Sequence, residues 1–96
     1  MSDTDILKEL VQKAATGDKA AFEELYQGTC RSVYFTCRGF LKDEHEAQDV
    51  TQEVYLTVLE QLGTLEDAGK FKPWLYRIAA NKSIKRLRKK TAHSSR

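Results

Sequence analysis

One proline and five glycines in 96 residues are too few for a collagen-like chain, a mucin-like stalk or a low-complexity tail. No apolar run approaches the roughly 18 residues that a membrane-spanning helix needs, so no membrane insertion is expected. The opening MSDTDILKEL is acidic and polar, whereas a secretory leader would be basic and then apolar. Cysteine is scarce too: Cys30 and Cys37 stand seven positions apart. On one helix that is about 10.5 Å, beyond the roughly 4.4–6.8 Å between Cα atoms that a disulfide tolerates. There is no CxxC, and His45 and His93 complete no metal-ligand spacing. Free thiols in a reducing cytoplasm are expected, with no cofactor. Also missing are a glycine-rich phosphate loop, a nucleophile elbow and an HExxH motif. Asp43, Glu44, His45 and Glu46 cluster in sequence, but four successive residues at a helix start cannot converge on one point. Capping and the helix dipole account for their acidity. The sequence therefore reads as a non-enzyme.

The most informative absence is of acid. Residues 70–96 carry ten Lys and Arg and no Asp or Glu, whereas residues 1–69 carry six basic and all fourteen acidic side chains, a net of −8 against +10. A chain of this length holds one hydrophobic core, and two opposite poles on one small domain suggest two partners, one basic and one polyanionic. The plainer interpretation is a solvated surface with a basic tail.

Every long segment has helical apolar periodicity and none alternates with period two. A first helix is expected from about Thr4 to Thr16, capped by Asp3 or Thr4, with Ile6, Leu7, Leu10, Val11 and Ala14 as its stripe and Gly17 as its stop. Asp18 caps a second, running to about Leu41 with Phe22, Leu25, Tyr26, Cys30, Val33, Cys37 and Phe40 on its apolar face. Gly28 within it marks either a bend or a close approach to a neighbour. Asp43 opens a third, with Glu46 in capping-box position and Ala47, Val50, Val54, Tyr55, Val58, Leu59 and Leu62 as the buried stripe. After the turn-rich GTLEDAGK at 63–70, a fourth helix starts near Phe71 and runs to about Lys90, leaving TAHSSR as a polar end. The fold class is all-α: one compact bundle of about four helices over residues 1–90, with 91–96 as a flexible linker stump. A monomer is expected, since pairing the stripes leaves no large apolar surface.

Two faces carry the candidate chemistry. On the third helix Asp49, Gln52, Glu53 and Leu56 are linked by steps of three and four and share an exposed face. An acidic surface with an apolar centre suits a basic partner; the plainer interpretation is a solubilising face with one exposed leucine. On the fourth helix Phe71, Trp74, Leu75, Ile78 and Ala79 make a core stripe within about 140° of arc, with Tyr76 and Arg77 off it. Beyond Ala80 the cations Lys82, Lys85, Arg86 and Lys89 take over the sector of that stripe, so the helix either bends or finds other apolar neighbours. A basic rod suits phosphates. The dipole of a helix end explains two or three cations but not ten. Tyr76, Arg77 and Asn81 are the candidates for touching unstacked bases.

The order GDKAAFEELY, EAQDVTQEVYLTVLEQL, FKPWLYRIAANKSIKRLRKK resembles region 2 of the bacterial extracytoplasmic-function (ECF) sigma factors, over about residues 15–90. The resemblance implies a bundle whose third helix docks on the β′ clamp helices of RNA polymerase core, at positions matching Asp49, Gln52, Glu53 and Leu56. It implies that the segment from Thr64–Lys70 into the fourth helix melts and reads the −10 promoter element on the non-template strand. The matching positions are Tyr76, Arg77 and Asn81, with Lys72, Lys82, Lys85, Arg86, Arg88 and Lys89 available to the DNA backbone. It further implies a cytoplasmic protein and an anti-sigma factor covering the same surfaces. Lys85 stands where the family often has an Asp, which adds a phosphate contact and removes an acidic cap or ion pair. The family usually carries a second, −35-binding helix-turn-helix domain, so these residues read as a fragment or as a free-standing region 2. Two other classes stay open: a sequence-blind helical nucleic-acid binder, and a protein-interaction module whose basic helix docks on an acidic regulator.

Overall fold

Asp18 and Asp43 set the frame of the molecule by starting its two central helices. In the computed structural model, which describes residues 3–94 and side chains over 5–89, each accepts a backbone N–H three residues on: Asp18 Oδ1 from Ala21 at 3.1 Å, Asp43 Oδ1 from Glu46 at 3.0 Å. Such caps satisfy donors that the first helical turn would otherwise leave orphaned. The helices are α1 (Asp3–Ala15), α2 (Lys19–Leu41), α3 (Glu44–Gln61) and α4 (Phe71–Ser94). Gly17 turns the chain between α1 and α2 at φ +99°, and Lys42 does so between α2 and α3 at φ 61°, with its N–H donating to the Arg38 carbonyl. No helix is long and apolar enough to cross a membrane among the described residues.

The stripes meet as one core, built from Val11, Leu25, Val33, Cys37, Leu41, Ala47, Val50, Val54, Tyr55, Val58, Leu62, Phe71, Leu75 and Ala79. Both cysteines are free thiols. Several expectations need correction. Leu59 is 61% exposed, because it lies about 40° outside the arc of the buried α3 residues at 100° per residue. Ile6 and Phe40 are exposed at the margins of their stripes. The turn-rich 63–70 segment holds the 3₁₀ turns Leu62–Thr64 and Ala68–Lys70, and its Leu65 and Ala68 pack against the core. Gly28 marks neither a bend nor a close approach, since α2 runs through it unbroken and nothing lies within 4 Å of where its Cβ would be.

α4 is also unbroken, and it resolves the change of pattern after Ala80. Its fully buried residues Phe71, Leu75, Ala79 and Ser83 form an i, i+4 row, which winds slowly around a helix because four residues overshoot a turn. The buried side therefore rotates along the helix and leaves Lys82 and Arg86 half-buried on its flank. The backbone stays helical four residues past the expected end at Lys90, to Ser94; of the expected linker stump, residues 95–96 lie outside the described residues. The N-cap expected at Asp3 or Thr4 gives way to a helix that already includes both.

Candidate functional site

The α3 face divides into two flanks. Asp49, Gln52, Glu53 and Leu56 are all exposed, Leu56 at 60%. On the side toward α2, Gln52, Leu56 and Leu59 join Phe22, Tyr26 and Tyr55 around an apolar hollow of about 280 Å³. A second hollow, of about 220 Å³, continues it past Cys30, Arg31, Tyr34 and Gln48, so Tyr26 and Gln52 border both. Leu59 and the α2 aromatics are members of this surface that sequence reasoning assigned to the core alone. The signal was present in the angle: Leu59 falls between Gln52 and the buried arc.

The trough is braced from beneath. Thr29 Oγ1 donates to the Leu25 carbonyl at 2.6 Å, so the Tyr55 hydroxyl, 2.5 Å away, donates to Thr29. Tyr26 meets the Tyr55 ring edge-on, with centroids 4.8 Å apart. Burial pushes the Tyr55 phenol well above its ordinary range, opposed by the Thr29 hydrogen bond and reinforced by Cys30, Tyr76 and Tyr26. The phenol is thus a fixed neutral donor at ordinary pH.

On its other flank α3 faces α4. Arg86 Nη2 donates to Glu53 Oε2 at 2.5 Å, and Arg86 Nη1 lies 3.9 Å from Glu46 Oε1. The acidic and basic poles, read from sequence as separate surfaces, therefore touch. Glu53, Lys82, Lys85, Arg86 and Lys89 together line a pocket of about 310 Å³.

The remaining α4 candidates fall in different places. Arg77, Asn81, Lys85 and Arg88 are exposed and form one stripe by steps of four, four and three. Tyr76, expected off the core stripe, is half-buried and packs against the core, close enough to Tyr55 to influence its ionisation. Lys72 is exposed on another side, at a groove of about 480 Å³ between α1, α2 and the start of α4. An anionic strand can run along the stripe, with Lys82 and Lys89 at its edge. Among the described residues no group of three His, Cys, Asp or Glu side chains could hold a metal ion.

The sigma-70 region 2 family model matches residues 25–93. The ECF RNA polymerase sigma factor SigW of Bacillus subtilis (strain 168) is 33% identical over 85 residues, 88% of this chain and 46% of that protein. The ECF RNA polymerase sigma factor SigK of Mycobacterium ulcerans is 34% identical over 95 residues, 97% of this chain and 50% of the other. The RNA polymerase sigma-H factor of Pseudomonas aeruginosa is 36% identical over 74 residues, 77% and 38% of the two. The chain thus spans half the length or less of these relatives.

Proposed function

The chain belongs to the sigma-70 region 2 family, in its extracytoplasmic-function branch, and we propose that it is the part of an RNA polymerase sigma factor that grips both the polymerase core and the opened promoter. The α3 face of Asp49, Gln52, Glu53 and Leu56 docks on the β′ clamp helices: the apolar hollow takes the partner's side chains and the acids take its cations. α4 and the turns before it recognise and melt the −10 element. Asn81 and Arg77 reach the bases of the non-template strand, Tyr76 supplies the edge of a stacking surface, and Lys72, Lys82, Lys85, Arg86, Arg88 and Lys89 meet the phosphates. Freeing a base from its stack costs a few kcal/mol, which stacking and backbone neutralisation can offset; trapping the open strand requires no catalysis.

On this reading residues 1–90 are one domain, and the protein acts as a monomer in the bacterial cytoplasm until it meets polymerase. An anti-sigma factor would cover the same two faces. The observation that carries the reading is the exposed Arg77–Asn81–Lys85–Arg88 stripe on a helix whose neighbour presents an exposed acidic and apolar face. The test is capture of core RNA polymerase by the intact chain and by Glu53→Lys, together with binding of a single-stranded −10 non-template oligonucleotide against a scrambled one. Loss of capture on charge reversal, and loss of strand preference in Asn81→Ala, are expected. Sequence-blind binding with capture unchanged would favour a general nucleic-acid binder instead.

A further inference from the structure

Four cations and one carboxylate line a single pocket at the seam of α3 and α4: Lys82, Lys85, Arg86 and Lys89 with Glu53. A guanidinium with ammonium groups lining the same pocket is the kind of donor set that a phosphate uses. Here the anions are supplied by the protein itself: Arg86 is bonded to Glu53, and its other terminal nitrogen pairs with Glu46 at 3.9 Å. Glu53 also belongs to the face offered to a basic partner, and its side chain is 47% exposed, so a cation from outside can reach it. The same two residues therefore serve two surfaces.

Resting on the two-partner reading above, we propose that Glu53 is an internal stand-in for a DNA phosphate, holding Arg86 until a docking partner takes Glu53 over. In the free chain a phosphate entering the pocket competes with Glu53 for Arg86. Once polymerase cations engage Glu53, Arg86 keeps only its longer contact with Glu46 and can turn to the strand, and binding at either surface strengthens binding at the other. Linkage makes the effect reciprocal. The size is that of a partly exposed ion pair, about two- to five-fold in affinity, shrinking as salt screens it.

The experiment measures affinity for a scrambled single-stranded DNA of about twelve nucleotides across a salt series, with helicity checked by circular dichroism. Glu53→Gln is expected to bind about two- to five-fold more tightly at low salt and to steepen the salt dependence by about 0.7 in log–log slope, one further phosphate. Glu60→Gln removes the same charge from α3 away from the pocket and is expected to do much less. In an Arg86→Gln background Glu53→Gln should bring no gain. With core RNA polymerase present, saturating oligonucleotide should tighten polymerase capture by the same factor in the unmodified chain and leave Arg86→Gln unaffected. A gain that persists without Arg86, or that Glu60→Gln reproduces, overturns the proposal while the two-partner reading stands. Absence of strand binding or polymerase capture in the unmodified chain overturns both.

Discussion

The Tyr55 hydroxyl lies 2.5 Å from Thr29 Oγ1, across the buried junction of α3 and α2. Both residues are buried, and the pair fixes the helix that carries the acidic face against the helix that supplies the other wall of the trough. Thr29→Val keeps the shape but leaves the phenol without its acceptor, so a loss of about 1–3 kcal/mol is expected. Tyr55→Phe leaves Thr29 its bond to the Leu25 carbonyl and should cost nearer 1 kcal/mol. Urea denaturation of the two variants checks the order.

The same phenol predicts the alkaline behaviour. Its folded pKa is raised above the unfolded value near 10, so the neutral form is favoured by folding. That contribution is fully present below pH 10 and is lost as pH rises, because the unfolded chain ionises first. Stability should fall above pH 10 by up to about 1.4 kcal/mol per pH unit from this group, and Tyr55→Phe should flatten that part of the profile. Tyrosinate absorbance during titration should show one tyrosine that ionises only with unfolding.

Ser83 is fully buried on the α4 row, and its Oγ has no hydrogen-bond partner among the described residues. A buried hydroxyl without a partner costs free energy that an alanine methyl would not, and alanine is the better helix former. Ser83→Ala should raise stability by about 1–2 kcal/mol, seen as an upward shift in Tm. An unchanged or lower Tm would contradict the assignment.

Two backbone positions make a paired prediction. Lys42 adopts φ 61° as the cap of α2, a conformation that costs a residue with a Cβ roughly 1–2 kcal/mol, so Lys42→Gly should be stabilising by up to about 1 kcal/mol after the added chain entropy. Gly28 has ordinary helical surroundings and open space at its Cβ position, so Gly28→Ala should add about 0.5–1 kcal/mol. Thermal melts of both variants check the two signs together.

What the sequence discloses here follows from period and caps. Asp18, Asp43 and Gly17 mark their boundaries in the residue types alone, and the stripes of α2 and α3 identify most of the core before any coordinates. Lys42 was illegible as a left-handed cap because its side chain carries no preference for that conformation. Tyr76 lies off any stripe of fixed sector, but the i, i+4 row of α4 carries the buried side round toward it. The Arg86–Glu53 contact could not be read at all: their separation of 33 residues depends on how α3 and α4 cross, which neither helix's pattern contains. Leu59 was the near miss, apolar and at the edge of a buried arc, where angle alone decides poorly between core and interface.

That edge position gives the last prediction. Leu59 is 61% exposed and lines the hollow with Leu56, Phe22 and Tyr26. An exposed leucine contributes little to folding, so Leu59→Ser should change stability by no more than about 0.5 kcal/mol. A leucine that fills a desolvated partner contact contributes far more to binding, and its truncation should weaken capture of core RNA polymerase by about ten-fold or more. Leu56→Ser should behave alike, and Ile6→Ser, exposed on α1 away from this surface, should leave capture unchanged. Capture that survives both Leu59→Ser and Leu56→Ser would confine the docking surface to the acids, because no apolar group of the trough would then meet the partner.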